Sequence, residues 1–202
     1  MSMSNVSNGS KISVRKLTVT AMLSGVAFIL MFLDFSVPFM PSFIKMDISE
    51  LPALVGSFSL GPVFGVLVCL VKNLINLLRT STGGVGELSN FILGAVFVGV
   101  AGLIYQKKKT RKMAIIGSIA GAAAMAVFSV FSNYYFVYPI YTKFMPMDVI
   151  IGMYQAINHS VKNLWDALIW FNMPFTFVKG MLDVVITFLI YKKISPILRG
   201  NE

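Results

Sequence analysis

Two ionisable residues, Lys179 and Asp183, lie inside the apolar stretch 172–193, which reads N-M-P-F-T-F-V-K-G-M-L-D-V-V-I-T-F-L-I-Y-K-K. A charged side chain at membrane depth costs about 2.5–3.5 kcal/mol on insertion scales, so it normally has a partner and a task. The two are four residues apart and fall on one face of a helix. With a helix start at Met173, Lys179 lies about 9 Å along the axis. That depth keeps it within reach of a pocket opening at the near surface. Two readings stay open. Either the pair neutralises itself and faces other helices, or Lys179 is a buried cationic donor for a ligand and Asp183 holds it.

Other chemistry is sparse. The chain has no H-E-x-x-H, no G-x-S-x-G and no paired aspartates within one span. Without a Walker motif it does not hydrolyse ATP, and T-S-T-G-G-V-G-E (80–87) lacks the G-K-[ST] ending of a phosphate loop. The glycines there instead permit close backbone approach. His159 stands alone, with no metal-ligand set around it, and reads as structural. What remains is a polar cluster at the ends of several spans: Asn90, Asn133, Thr176, Lys179 and Asp183. The segment 34–50 contains Pro38 and Pro41 yet is apolar for a loop, with Phe35, Val37, Phe39, Met40, Phe43 and Ile44. Such a loop packs on something, and here it suits a lid. A lidded apolar pocket with a few placed polar groups is a small-molecule site.

The elements that must position these groups follow from composition. The 202 residues are 56% hydrophobic and 12% charged, with mean hydropathy +0.79. Soluble domains carry about 25% charged residues, so this is a polytopic membrane protein, all-α, of one domain. Residues 1–10 are polar, without periodicity, and read as a disordered tail; 11–202 form the membrane domain. The apolar run 17–33 is too long, and lacks the small-residue site, for a cleaved signal peptide. It carries small residues four apart, Thr20/Ser24 and Ala21/Gly25, which allow close helix contact in lipid. That face packs within the bundle or docks a partner. Further spans are 90–105, 113–136 and 172–191, and 148–158 and 161–171 read as short amphipathic helices with Trp165 and Trp170 at the interface. The tyrosines of 134–141 suit an interfacial belt. Cys69 is the single cysteine, and thirteen Met with seventeen Phe suit an adaptable apolar interior.

The stretch 51–78 is either one kinked helix or two spans joined at Leu60-Gly61-Pro62. Charge selects the second. Two spans there give six in all and put both termini on one side with the 107–112 cluster, K-K-K-T-R-K. Eleven of the 17 Lys and Arg then flank that side, and Asp34, Asp47, Glu50, Glu87, Asp148 and Asp166 lie opposite. The positive-inside rule therefore places both termini in the cytoplasm. It also accounts for the +9 charge as topology and excludes nucleic acid as the partner.

Six segments carry a resemblance: M-D-I-S-E-L-P (46–52), F-S-L-G-P-V-F-G (58–65), V-K-N-L-I-N (71–76), V-G-E-L-S-N-F (85–91), S-N-Y-Y-F-V-Y-P-I-Y (132–141) and P-F-T-F-V-K-G (174–180). From about residue 16 to 198 the chain resembles the riboflavin-specific S components of the energy-coupling factor (ECF) vitamin transporters. The resemblance implies six transmembrane helices in the plasma membrane and a vitamin site at the outer face under the first loop. It implies riboflavin as transported ligand, no cofactor, no enzyme activity, and a partner ECF module of two ATPases and a transmembrane coupling subunit. The family's ligand-holding amide falls on Asn133 and its lysine on Lys179. Members often carry Asn where Thr176 stands, which shortens one contact. The expected ligand set is Asn133, Lys179, Thr176, Asn90, Gly83, Gly84, Asp183 and Met46, and the expected docking face is Thr20, Ala21, Ser24 and Gly25. Riboflavin suits such a pocket, because its pyrimidine edge alternates acceptors with an N–H donor that an amide and a lysine can meet. The alternatives are an S component for another vitamin, a ligand-free membrane scaffold and a membrane enzyme.

Overall fold

The computed structural model describes residues 13–41, 44–80 and 82–199, with backbone alone for 191–199. The tail 1–10, and Phe43 of the expected lid, lie outside these residues, as do the side chains of Lys192, Lys193 and Arg199.

Five helices are long and apolar enough to cross a membrane: Val14–Met31, Pro62–Arg79, Val85–Lys107, Arg111–Tyr141 and Leu164–Ile190. The first is α1. A two-stranded hairpin follows it, β1 (Phe35–Ser36) pairing antiparallel with β2 (Lys45–Met46). It belongs to the segment expected as an irregular lid, and it is the sheet element of an otherwise helical fold. Next come α2 (Glu50–Leu60) and α3 (Pro62–Asn76). They part at Gly61, whose φ of +112° is left-handed backbone open to glycine, while Pro62 starts α3 where its missing N–H costs nothing. The split expected at Leu60-Gly61-Pro62 is present.

A short 3-10 turn (Leu77–Arg79) leads to α4 (Val85–Lys107). α5 (Arg111–Ser132) is capped by the Thr110 hydroxyl, which accepts from the Met113 N–H at 3.3 Å. It continues through one π-helical turn, Asn133–Val137, into α6 (Tyr138–Tyr141). α7 is Met147–Gln155. α8 (Leu164–Ala167), capped by Asn163, runs through a second π turn, Leu168–Asn172, into α9 (Met173–Arg199). Here the structure corrects the expectation of a separate helix over 161–171. Its residues from Leu164 onward are the first turns of the last long helix, because nothing between 164 and 173 breaks a helix.

Contacts sort the loops into two ends. Lys16 lies over the Phe64 ring at 5.5 Å, and a Cβ on Gly61 would meet the Gln106 side chain at 3.2 Å. The start of α1, the α2–α3 turn and the end of α4 thus share one end. Arg79 lies over Phe32 at 3.9 Å, so the end of α1 and the 77–84 loop share the other, the hairpin end.

The main core joins α2, α3, α4, α5 and α9 through Leu54, Phe58, Val68, Phe97, Met125 and Val184. A second cluster, with Tyr138, Ile150, Tyr154, Val161 and Leu168, closes the hairpin end. The outward faces of the long helices are apolar as well: Met22, Ile29, Leu103, Val127, Val185 and Leu189 are all exposed. In water such a surface would aggregate, whereas lipid covers it without penalty. The chain is a membrane protein.

A candidate ligand pocket at the hairpin end

One cavity opens among the elements of the hairpin end. The hairpin supplies Ile44 and Lys45, α2 supplies Glu50, and the 80–87 loop supplies Thr82 and Gly86. α4 adds Ser89, Asn90 and Leu93; α5 and its π turn add Met125, Asn133 and Val137; α9 adds Phe175, Thr176 and Lys179. Its volume of 200 Å³ is far above the roughly 10–15 Å³ that one water needs. This is space for a ligand and not a packing defect. Among the described residues no three His, Cys, Asp or Glu gather as metal ligands would.

A charge network forms the polar wall. Lys179 Nζ donates to Asp47 Oδ2 at 2.9 Å and lies 3.5 Å from Glu50 Oε2. Glu50 Oε1 accepts from Lys72 Nζ at 2.6 Å, and Lys72 also donates to the Ser49 hydroxyl. Lys72 is wholly buried. Asp47 Oδ1 accepts the Ser49 backbone N–H at 2.9 Å. Burial alone would push the Asp47 carboxyl up. The Lys179 charge, with Lys72 behind it and the Ser49 bond, outweighs burial and holds it well below the usual carboxylate range. Lys179 thus ties the loop after β2 to α9, and an ammonium with three N–H donors retains capacity for a ligand.

This overturns the expected partnership of Lys179 with Asp183. Asp183 is fully buried, does not line the pocket, and neither of its oxygens has a hydrogen-bond partner among the described residues. Side chains on a helix lean toward its N-terminus, and the N-terminal end of α9 is the hairpin end. Lys179 therefore reaches up to Asp47, away from the residue one turn below.

Four expected ligand residues line the cavity together: Asn90, Asn133, Thr176 and Lys179. Asn90 Oδ1 also accepts from Asn73 at 3.3 Å. Gly83, Gly84 and Met46 are not among the lining residues. Gly83 and Gly84 have φ of 62° and 88°, and a Cβ on Gly83 would strike the Phe144 ring at 2.7 Å. They shape a turn organised by Glu87, which accepts from Asn76 at 2.9 Å and from Thr80 at 2.8 Å, and that turn aims Thr82 and Gly86 inward. Met46 is buried opposite Phe35 in the hairpin, while its neighbours Ile44 and Lys45 face the pocket. Tyr138 and Tyr141 line the pocket instead of joining an interfacial belt, which leaves Tyr135, 60% exposed, in that role. Sequence reading missed Asp47, Glu50, Lys72 and Asn172. The available signal was a lysine and an acid in neighbouring apolar stretches, each needing a partner.

The expected docking face also divides. Thr20 and Ser24 are buried in the bundle, with hydroxyls donating to the Lys16 and Thr20 carbonyls at 2.7 and 2.8 Å. Ala21 is exposed, and a Cβ on Gly25 would meet nothing within 4 Å.

Comparison with known proteins places the whole architecture. The family model for the substrate-specific component of ECF transporters matches residues 15–191. The chain is 32% identical to the riboflavin transporter RibU of Staphylococcus aureus over 185 residues, 92% of this chain and 93% of that protein. It is 32% identical to the riboflavin transporter FmnP of Bacillus subtilis over 186 residues, 91% of this chain and 93% of that protein. It superposes with a TM-score of 0.73 and 32% identity on the S component of a bacterial ECF transporter, covering 92% of this chain and 98% of that one. A helical membrane bundle with a lidded pocket, no catalytic motif and this likeness along its length belongs to the substrate-specific S components of ECF transporters, which are transport proteins and not enzymes.

Proposed function

We propose that the chain captures riboflavin at the hairpin end and delivers it inward with an ATP-driven ECF module of two ATPases and a coupling subunit. Riboflavin is then the transported ligand and not a cofactor. The observation that carries this reading is the pocket's division of labour. Asn133, Lys179 and Thr176 offer amide, ammonium and hydroxyl for a pyrimidine edge, and Leu93, Met125, Val137 and Phe175 offer an apolar wall for the dimethylbenzene ring. Two relatives at 32% identity named as riboflavin transporters support it. Where Thr176 falls short of a longer amide, a water bridges the gap. The test is to purify the protein, look for a flavin spectrum and titrate riboflavin by fluorescence quenching. A protein that leaves riboflavin fluorescence unchanged but binds a different vitamin overturns the assignment.

In this reading the chain makes six crossings in the plasma membrane with both termini cytoplasmic. The sixth crossing is α2, whose 11 residues reach about 17 Å at 1.5 Å per residue and stop short of a full hydrocarbon core. The positive-inside rule supports the cytoplasmic end, since the 107–112 cluster adjoins the α2–α3 turn and the start of α1. A cysteine at position 84 should react with an impermeant reagent from outside, and one at position 109 should not. Labelling of 109 alone would invert the topology.

The module docks on the exposed part of the small face of α1, Ala21 and Gly25. Close helix approach in lipid works by shape, so a large residue there blocks it while leaving a pocket at the far end of the fold intact. Ala21→Leu or Gly25→Leu should keep riboflavin affinity near normal but reduce co-purification with the module and uptake. Normal assembly by both variants would remove this face from docking.

A further inference from the structure

Asn172 lines the pocket at the junction of the second π turn and α9, and it is 8% exposed. It shares a helix face with Thr176 and Lys179, four and seven residues on, so the three stand in a row down one wall. Asn133 opens the first π turn as Asn172 closes the second, and these are the two π turns among the described residues. Extra-wide turns of this kind re-aim side chains and gather at functional sites. The cavity therefore has two carboxamides, each set by a local irregularity in a long helix.

An amide can be turned either way, and its polarity decides what it recognises. At Asn172 a second residue fixes the choice. The Tyr154 hydroxyl donates to Asn172 Oδ1 at 2.7 Å, and the Tyr138 hydroxyl lies 2.6 Å from the Tyr154 hydroxyl. A phenol has one proton to give. Tyr154 gives its proton to Asn172, so the bond between the phenols is donated by Tyr138. Burial, reinforced by the neighbouring Tyr138, keeps Tyr154 protonated far beyond the usual phenol range, so the donor is always present. Tyr154 itself is fully buried, does not line the pocket, and is wedged in the second cluster with its ring 5.4 Å from that of Phe171. The amide is thus held by its oxygen, and its NH2, with two N–H donors and no acceptor, is what remains for Tyr138 and the cavity.

We propose that Asn172 is a ligand-recognition residue of this pocket, and that Tyr154 is the positioning residue that keeps its amide nitrogen toward the ligand. The group it selects is an oxygen acceptor, a carbonyl or hydroxyl of the bound molecule. The inference rests on the riboflavin reading of the same site, since riboflavin carries both kinds of oxygen.

The test measures riboflavin dissociation constants by fluorescence quenching on the purified full chain. Tyr154→Phe removes the orienting hydroxyl and little volume. Asn172→Asp keeps the size and still accepts from Tyr154, but has no N–H to offer. Each should weaken binding at least about fivefold, the lower end expected when a buried polar contact is lost, while His159→Ala binds as the parent does. In an Asn172→Ala background, Tyr154→Phe should weaken binding no further, because its effect runs through the amide. Parental affinity in both single variants overturns the proposal. So does a full additional loss from Tyr154→Phe in the Asn172→Ala background, which would mean that Tyr154 supports the fold alone. If Tyr154→Phe does not fold, Asn172→Asp decides by itself. A parent protein that does not bind riboflavin sinks the functional reading and this proposal together, and that outcome is visible before any variant is made.

Discussion

Lys72→Met is expected to destabilise the fold by about 3–5 kcal/mol, the largest effect of any single substitution considered for this chain. Lys72 is wholly buried in α3, and its ammonium bonds both Ser49 and Glu50 at the start of α2. Methionine fills much of the same volume but leaves the Glu50 carboxylate with Lys179 at 3.5 Å as its remaining cation. A buried charge stripped of its close partner retains its desolvation cost and loses the attraction that offset it. The measurement is the unfolding transition of the two purified proteins in one detergent. Adding Glu50→Gln to Lys72→Met removes the stranded charge and should return much of the loss. A single variant within about 0.5 kcal/mol of the parent, the range of an ordinary surface change, would show that the pair does not hold α2 to α3.

Asn133→Ala and Lys179→Met are expected to weaken riboflavin binding by about 1–3 kcal/mol each, or roughly five- to 150-fold. The two losses have different origins. Asn133 lines the cavity from the π turn after α5, and alanine leaves the ligand's paired donor and acceptor unmatched. Lys179 lines it too but is also bonded to Asp47, so methionine strands an acid on the loop after β2. Asp47→Asn should therefore reproduce part of the Lys179→Met loss, by loosening that loop, and none of the Asn133→Ala loss. Riboflavin affinities equal to the parent's in Asn133→Ala and Lys179→Met, by fluorescence quenching, would take both residues out of the site.

The sequence alone determined the class of protein and most of its skeleton. Long apolar runs have one stable fate, helices in lipid, because hydrocarbon leaves backbone groups no other partner. Gly61-Pro62 dictates a break wherever it occurs, since the first residue permits the left-handed turn and the second cannot continue a helix. Asn90, Asn133, Thr176 and Lys179 were legible as a cluster because polar groups in apolar spans are few and each requires company.

Only the tertiary structure decided which company. The i, i+4 spacing of Lys179 and Asp183 permits a pair. But α9 inclines Lys179 toward the hairpin end, where Asp47, 132 residues away in the chain, waits at 2.9 Å. Thr20 and Ala21 are neighbours in the same small-residue face, yet one is buried against the bundle and the other faces outward. That division is set by the angle at which α1 packs on α2 and α3, which no local pattern encodes. Gly83 and Gly84 suggested a cradle, whereas the turn they permit points their neighbours Thr82 and Gly86 at the cavity. Asn172 and Tyr154 lie 17 and more residues from the other pocket groups of their helix pair or outside it in sequence, and a bond between α7 and the second π turn joins them. Spacing along a chain fixes which groups share a helix face; contact between helices depends on packing, which is a property of the whole bundle.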